Sequence, residues 1–219
     1  MLSQYIQYIN GFTGGGPVGE CLLLPRNKIS MVFMVKNKKA VKKSSGDEFW
    51  VFGYGSLIWN PGFAFVEKVQ AKIFGYHRCL CVASTTYRGT AENPGLVLGL
   101  DRGGSTTGMA FRVAKEHVND VLAYLEDREQ ITKIYCPHFA KAHLIDGRTV
   151  RAYTFIARHD HEQYAGPMSM EKCAKMVAAG VGEKGSSLEY LANTVEHLDK
   201  MGIKDTDLHK VLKLALKIK

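Results

Sequence analysis

Apolar runs bounded by glycine-rich turns predict a series of strands from residue 49 onward. These runs are rich in aromatic and β-branched side chains, which is typical of strands in a sheet. A turn over 101–104 and another at Asp146-Gly147 separate neighbouring runs. The predicted strands are 50–53, 71–83, 95–100, 108–113, 134–145 and 150–157.

A helical spacing of apolar residues replaces this pattern once between the strands and again in the last fifty positions. Val118, Val121, Leu122 and Leu125 recur at intervals of three and four, which predicts a helix over 115–128. Three more helices are predicted, over 171–179, around 188–198 and over 208–218. Strands with one inserted helix, followed by helices, predict an α+β fold in a single domain.

Residues that typically begin or end helices support the predicted helix around 188–198. Ser186 and Glu189 have the spacing of a capping box, and Gly202 would end the helix that follows. Residues 180–186 resemble a phosphate-binding loop, but the lysine precedes the second glycine and no strand leads in. We therefore expect a helix-to-helix turn there.

Residues 1–48 differ from the rest and are predicted to form a basic, poorly ordered N-terminal extension to a domain at 49–219. The formal charge of the chain is +8, and seven basic residues with no acidic one lie between Arg26 and Lys43. The remainder is therefore close to neutral, which favours a solvated extension over a nucleic-acid-binding surface. Only a short apolar patch, 29–35, could form a strand within it.

Targeting signals and long apolar runs are lacking in the sequence. The N-terminus does not show a basic stretch followed by an apolar core and a cleavage site, and no run approaches the length of a membrane span. We therefore expect a cytoplasmic protein that does not associate with membranes.

The segment WVFGYGSLIW, residues 50–59, places two glycines where a buried strand would be expected to continue. It lacks the third glycine of a dinucleotide loop, and Ser56 lacks the flanking glycines of a nucleophile elbow. Gly53 and Gly55 could allow a tight turn against a close neighbour. They could equally expose N–H groups to a carboxylate or an oxyanion. The spacing favours neither alternative.

Glu129 follows Leu122 and Leu125 at helical intervals, so it continues the apolar face of the predicted helix. A carboxylate in that position would have a raised pKa and would suit proton transfer near neutral pH. The alternative is a fraying helix end with a solvated glutamate, which the pattern alone favours slightly.

Candidate metal ligands are scattered in the sequence. His159 and His161 lie close together, but no further ligand is spaced to assist them, which favours a solvated loop. Cys79 and Cys81 lie on one face of a predicted strand and are interpreted as small buried hydrophobic residues. The sequence therefore predicts no metal site.

An ordered series of motifs resembles the ChaC-like γ-glutamylcyclotransferases over residues 49–201. The longest is FGYGSLIWNPGF at 52–63. The others follow in order: Tyr87-Arg88-Gly89, Pro94-Gly95, Tyr124-Leu125, Arg128-Glu129, Tyr135, and Tyr164 to Pro167.

This resemblance implies an enzyme that cleaves glutathione to 5-oxoproline and cysteinylglycine without a metal or organic cofactor. It also implies a mixed fold with a small β-barrel-like sheet. Glu129 would be the catalytic acid and base. The substrate-binding residues implied are Tyr54, Gly55, Ser56, Leu57, Tyr135, Arg88 and Tyr164.

Two other functions stay open at this point. One is a cyclotransferase for other γ-glutamyl amino acids or amines, because the sequence does not show which leaving group fits. The other is a binding or regulatory protein that uses its basic N-terminal extension.

Overall fold

The structure is a computed structural model that describes residues 48–129 and 132–218. Five strands form a closed barrel in the order β1-β3-β2-β4-β5, and the barrel closes because β5 pairs with β1 in parallel. The remaining neighbours are antiparallel. The strands are β1 (Phe49–Gly53), β2 (Glu67–Ser84), β3 (Gly95–Val113), β4 (Tyr135–Leu144) and β5 (Thr149–Ala157). This architecture confirms the predicted α+β class and the barrel-like sheet.

Four α-helices accompany the barrel, and each lies close to its predicted position. They are α1 (Val118–Glu129), α2 (Met170–Ala179), α3 (Ser187–Lys200) and α4 (Thr206–Ile218). The Ser186 side chain accepts from the Glu189 N–H and the Glu189 carboxylate accepts from Ser186, so the predicted capping box is confirmed. No helix in the described residues is both long and apolar enough to cross a bilayer.

The prediction for the segment before α3 is wrong, and the prediction for residues 1–48 falls almost entirely outside the described residues. The segment before α3 is not a simple turn but a small two-stranded sheet, β6 (Val181–Gly182) with β7 (Gly185–Ser186). The predicted N-terminal extension, with its possible strand at 29–35, lies outside the described residues apart from position 48.

The predicted turn over 101–104 is wrong, because β3 runs through it without interruption. Gly103 and Gly104 adopt positive φ values of 92° and 68°, and Gly75 on the neighbouring β2 has a φ of 86°. The pairing register of the two strands also shifts between Phe74 and Tyr76. Glycine reaches these backbone angles without strain, so both strands bend together and their pairing continues.

The apolar residues of the barrel pack against helices in two clusters. The larger cluster joins barrel residues such as Phe52 and Leu98 to Leu191 on α3 and Val211 on α4. The smaller cluster packs Val51 and Leu57 against Val121 and Leu125 on α1. Burial of one such leucine contributes about 1.5–3 kcal/mol. The second cluster fixes the end of α1 beside the segment that follows β1.

A buried arginine connects that segment to the C-terminal helix. The Arg78 guanidinium on β2 donates to the backbone oxygens of Tyr54 and Thr107, at 2.6 Å each, and pairs with the Asp205 carboxylate at 3.0 Å. Asp205 in turn accepts from the Leu208 N–H at the start of α4. Only 4% of the Arg78 side chain is exposed, so its contacts are largely shielded from water.

We expect the Arg78→Met variant to lose about 3–5 kcal/mol of unfolding free energy, because it leaves a carboxylate and two carbonyls without their partner. Urea denaturation of both proteins measures the difference. Arg102→Met, at an exposed position on the neighbouring strand, serves as the matched control and should change little. Equal stability of the two variants would contradict the bracing role of Arg78.

Candidate active site

Strand β1 leads directly into the glycine-containing loop. After Gly53, the residues from Ser56 to Ile58 form a short 3₁₀ helix, and the Ile58 N–H donates to the Gly55 oxygen at 2.9 Å. A Cβ atom on Gly53 would lie 2.9 Å from the Leu57 Cβ. One on Gly55 would lie 3.2 Å from the Tyr190 hydroxyl. Both glycines therefore occupy positions of close approach, as one of the two sequence alternatives predicted.

The Arg128 guanidinium ties the end of α1 to this loop. It donates to the Ser56 hydroxyl at 2.9 Å and to the backbone oxygens of Asn60 and Pro61, at 2.7 and 3.3 Å. It also donates to the Tyr124 hydroxyl at 2.9 Å. Ser56 is therefore held by a cation rather than by a base, which suits a positioning role and not that of a nucleophile.

Glu129 is the last residue of α1 and lies next to this guanidinium. Its Oε1 is 3.1 Å from the Arg128 Nε, and 18% of its side chain is exposed. Burial raises the pKa of the Glu129 carboxyl above its ordinary value, and the charge and hydrogen bond of Arg128 partly oppose that rise. The structure thus places this carboxylate in a largely enclosed position and not at a solvated helix end.

Two buried tyrosines and a partly buried one lie beside the loop and the carboxylate. The Tyr135 hydroxyl donates to the Leu98 carbonyl at 2.7 Å, and the Leu98 N–H donates to the Tyr190 hydroxyl at 3.4 Å. Tyr54 is the third, and 8% of its surface is exposed. Because Tyr135 and Tyr190 contact the same residue of β3, that strand positions both hydroxyls.

Burial and the Glu129 charge raise the pKa of all three tyrosines. Burial raises the pKa of Tyr54 and of Tyr135 well above the usual range, and the nearby Glu129 charge adds to the effect. The pKa of Tyr190 rises to about 12, again mainly through burial, with Glu129 contributing. All three hydroxyls are therefore protonated at neutral pH and can donate hydrogen bonds.

The remaining two predicted site residues lie farther out. The Arg88 guanidinium sits over the Tyr190 ring, 5.5 Å from its centroid, and donates to the Ser186 backbone oxygen at 3.4 Å. Tyr164 packs in the same small cluster as Tyr135. Arg88 thus reaches the site through Tyr190, and Tyr164 lies beside it.

Tyr190 belongs to this group although the sequence analysis did not select it. It lies on α3 between Leu188 and Leu191, where an aromatic residue is expected to be ordinary core. Only its hydroxyl, facing Gly55 and Leu98, distinguishes it. No local sequence signal could have shown this, because Gly55 lies in the loop after β1 and Leu98 lies on β3, both far from Tyr190 in the chain.

Chemically, the arrangement combines one enclosed carboxylate with several neutral donors and a nearby cation. A carboxylate with a raised pKa can accept and return a proton near neutral pH. Neutral tyrosine hydroxyls and loop N–H groups can stabilise a developing negative charge. The group therefore suits a reaction that moves a proton within a bound substrate.

Comparison with known proteins links this geometry to one family. The family model described as ChaC-like protein matches residues 49–218. The glutathione-specific gamma-glutamylcyclotransferase of Escherichia coli (strain K12) is 40% identical over 163 residues, which cover 74% of this chain and 71% of that protein. Gamma-glutamylcyclotransferase 2-3 of Arabidopsis thaliana is 36% identical over 73% of this chain and 85% of its own length.

A solved structure extends the likeness to three dimensions. The crystal structure of a gamma-glutamyl cyclotransferase specific to glutathione from yeast superposes with a TM-score of 0.72 at 28% identity. The match covers 78% of this chain and 97% of the yeast chain. The barrel and helices described above are therefore shared with that protein.

We expect the Glu129 carboxyl to titrate above the ordinary glutamate pKa of about 4.3, and higher still in Arg128→Met, which removes the cation that lowers its pKa. A pH titration of side-chain carboxyl carbons by NMR, assigned with Glu129→Gln, measures both values. Glu196, whose pKa is lowered by Lys200, provides an internal reference below the ordinary range. An unshifted Glu129 signal would contradict the enclosure described here.

Proposed function

The chain belongs to the ChaC-like family, and on that basis we propose that it is a γ-glutamylcyclotransferase that cleaves glutathione to 5-oxoproline and cysteinylglycine. The observation that carries the proposal is the enclosed Glu129 carboxylate beside the Gly55 loop. The names of similar proteins that cover most of this chain support the substrate.

The proposed reaction needs no nucleophile from the protein. The α-amine of the substrate attacks its own γ-carbonyl carbon, a new C–N bond closes a five-membered ring, and the bond to the cysteinyl nitrogen breaks. Water is not consumed and no electrons are transferred, so the reaction requires no cofactor. One proton must leave the attacking amine and reach the departing nitrogen.

Glu129 is proposed as the group that carries this proton. Its carboxylate accepts the proton from the attacking amine and then donates it to the leaving nitrogen, as one residue with a raised pKa can do. Arg128 keeps enough of the carboxylate ionised to act as the base, because its charge opposes the effect of burial.

The loop after β1 is proposed to hold the γ-glutamyl group in its folded form. Ring closure requires the amine and the carbonyl to approach each other, and such orientation can contribute several kcal/mol. Tyr54, Gly55, Ser56 and Leu57 supply the loop, and the Arg128 contact fixes the Ser56 hydroxyl. Ser56 and Leu57 begin a 3₁₀ helix, where N–H groups lack intrahelical acceptors and can face an oxyanion.

The surrounding polar groups are proposed to contact the γ-carbonyl oxygen and the peptide part of the substrate. The Tyr190 hydroxyl accepts from the Leu98 N–H and stays protonated, so its own proton can be donated to the γ-carbonyl oxygen as that oxygen becomes negative. The Tyr135 hydroxyl already donates to the Leu98 carbonyl, so Tyr135 is proposed to line the pocket. Arg88 brings a positive charge to the Tyr190 ring and suits a carboxylate of the peptide. Tyr164 is proposed as a more distant part of the same wall.

We expect Glu129→Gln to fold normally and to lose about 10²–10⁴-fold in turnover, since the amide cannot transfer the proton. The assay incubates the protein with reduced glutathione and quantifies 5-oxoproline and cysteinylglycine. Glu126→Gln makes the same chemical change at an exposed position one turn earlier and should retain activity. Near-normal turnover by Glu129→Gln would refute the assigned base.

A comparison of substrates tests the specificity. Cyclotransferases for other γ-glutamyl compounds are a second candidate, because the Arabidopsis relative is named without reference to glutathione. We expect kcat/KM for glutathione to exceed that for γ-glutamyl-alanine by at least tenfold, since glutathione carries its second carboxylate one residue farther from the γ-carbonyl, on the glycine that we assign to Arg88. Equal values would favour the broader activity.

A further inference from the structure

Side chains that commonly bind metal ions meet on the barrel, next to Tyr164 of the group assigned above. His77 and Cys79 lie two positions apart on β2, and Asp101 is paired with His77 across the neighbouring β3. The ligand atoms of these three side chains all lie within 4.8 Å of one another. Their convergence results from strand pairing and not from local sequence spacing.

His159, which follows β5, reaches the same place. Its Nε2 lies 2.5 Å from the Asp101 Oδ1, and its ring stacks on that of Tyr164 with centroids 4.4 Å apart. The stacking and the contact with Asp101 together hold the imidazole toward the cluster. His159 therefore restrains Asp101, while the three side chains whose ligand atoms converge are His77, Cys79 and Asp101.

Further hydrogen bonds orient His77 and Asp101, as is usual for the ligands of bound metals. The His77 Nδ1 is 3.2 Å from the Gly103 carbonyl oxygen, and when it donates there the Nε2 lone pair stays available. The Asp101 carboxylate accepts from the Tyr164 hydroxyl at 2.7 Å and from the Arg102 N–H at 2.7 Å. Each of these partners limits the rotation of a candidate ligand.

From this geometry we propose that His77, Cys79 and Asp101 form a binding site for a divalent transition-metal ion of the Zn²⁺ type, with His159 holding Asp101 in place. Imidazole nitrogen, thiolate sulfur and carboxylate oxygen are the ligands that such ions take in proteins. Bond lengths of about 2.0–2.3 Å in a tetrahedral site separate the ligand atoms by roughly 3.3–3.8 Å. The ligand atoms of His77, Cys79 and Asp101, which lie within 4.8 Å of one another, would therefore need to approach by at most about 1–1.5 Å to bind an ion.

Binding of the metal ion would displace a proton from the protein. The ion replaces the Cys79 thiol proton, which goes to solvent, and His159 keeps its contact with the Asp101 Oδ1. The ordinary alternative is an Asp101–His159 pair with a neighbouring thiol that takes no part. These two cases differ in whether the Cys79 sulfur contacts the ion.

The test titrates Co²⁺ into the metal-free full-length protein and follows its absorption spectrum, with Zn²⁺ added afterwards as competitor. Glutathione is left out because it chelates both ions. We expect one equivalent to bind, with a thiolate-to-cobalt charge-transfer band in the near ultraviolet that Zn²⁺ abolishes. Metal binding is independent of the proposed turnover, so failure of either one leaves the other standing.

Variants identify the ligands. Cys79→Ser should lose the charge-transfer band, and His77→Ala should bind at least tenfold more weakly. Cys173→Ser on α2 and His143→Ala on β4 are matched controls that should bind as the unmodified protein does. His77 is exposed, so its variant remains informative if Cys79→Ser does not fold. No stoichiometric binding, or equal binding by His77→Ala and His143→Ala, would overturn the proposal.

Discussion

The ion pair between Arg128 and Glu129 is the contact on which the candidate site depends. Two neighbouring residues at the end of one helix face a loop some seventy positions earlier, and the guanidinium spans the gap. Burial raises the pKa of the Glu129 carboxyl, and the charge and hydrogen bond of Arg128 lower it. The ion pair therefore limits how far burial raises this pKa.

Strand β3 provides the fixed surface against which the other groups are arranged. It pairs with β1 and β2, and Leu98 on it contacts the hydroxyls of both Tyr135 and Tyr190. The bend at Gly103 and Gly104 lets this strand stay paired where a turn would have separated it. The position of the site therefore follows from backbone conformation as much as from side-chain chemistry.

Features encoded within a few neighbouring residues were predictable from the sequence. The capping box at Ser186 and Glu189 follows from local spacing. The periodicity left Glu129 open between an inward and a solvated placement and slightly favoured the second, whereas its side chain is only 18% exposed. The turn expected at Gly103-Gly104 failed, because glycine pairs mark bends within strands as well as reversals between them. The roles of Tyr190 and His159 depend on partners from distant strands, and His159 meets Asp101 across 58 positions. Such contacts leave no local pattern.

The parallel pairing of β1 with β5 joins Trp50 to Ala152, about a hundred residues apart in the chain. Contacts at such separations form slowly, because closing a long loop costs entropy before any packing compensates for it. During synthesis on the ribosome the barrel cannot close until β5 has left the exit tunnel. The loop after β1 is made early, but Tyr190, whose hydroxyl faces Gly55, follows β5 in the chain, so a nascent chain would lack part of the candidate site even after the barrel has closed.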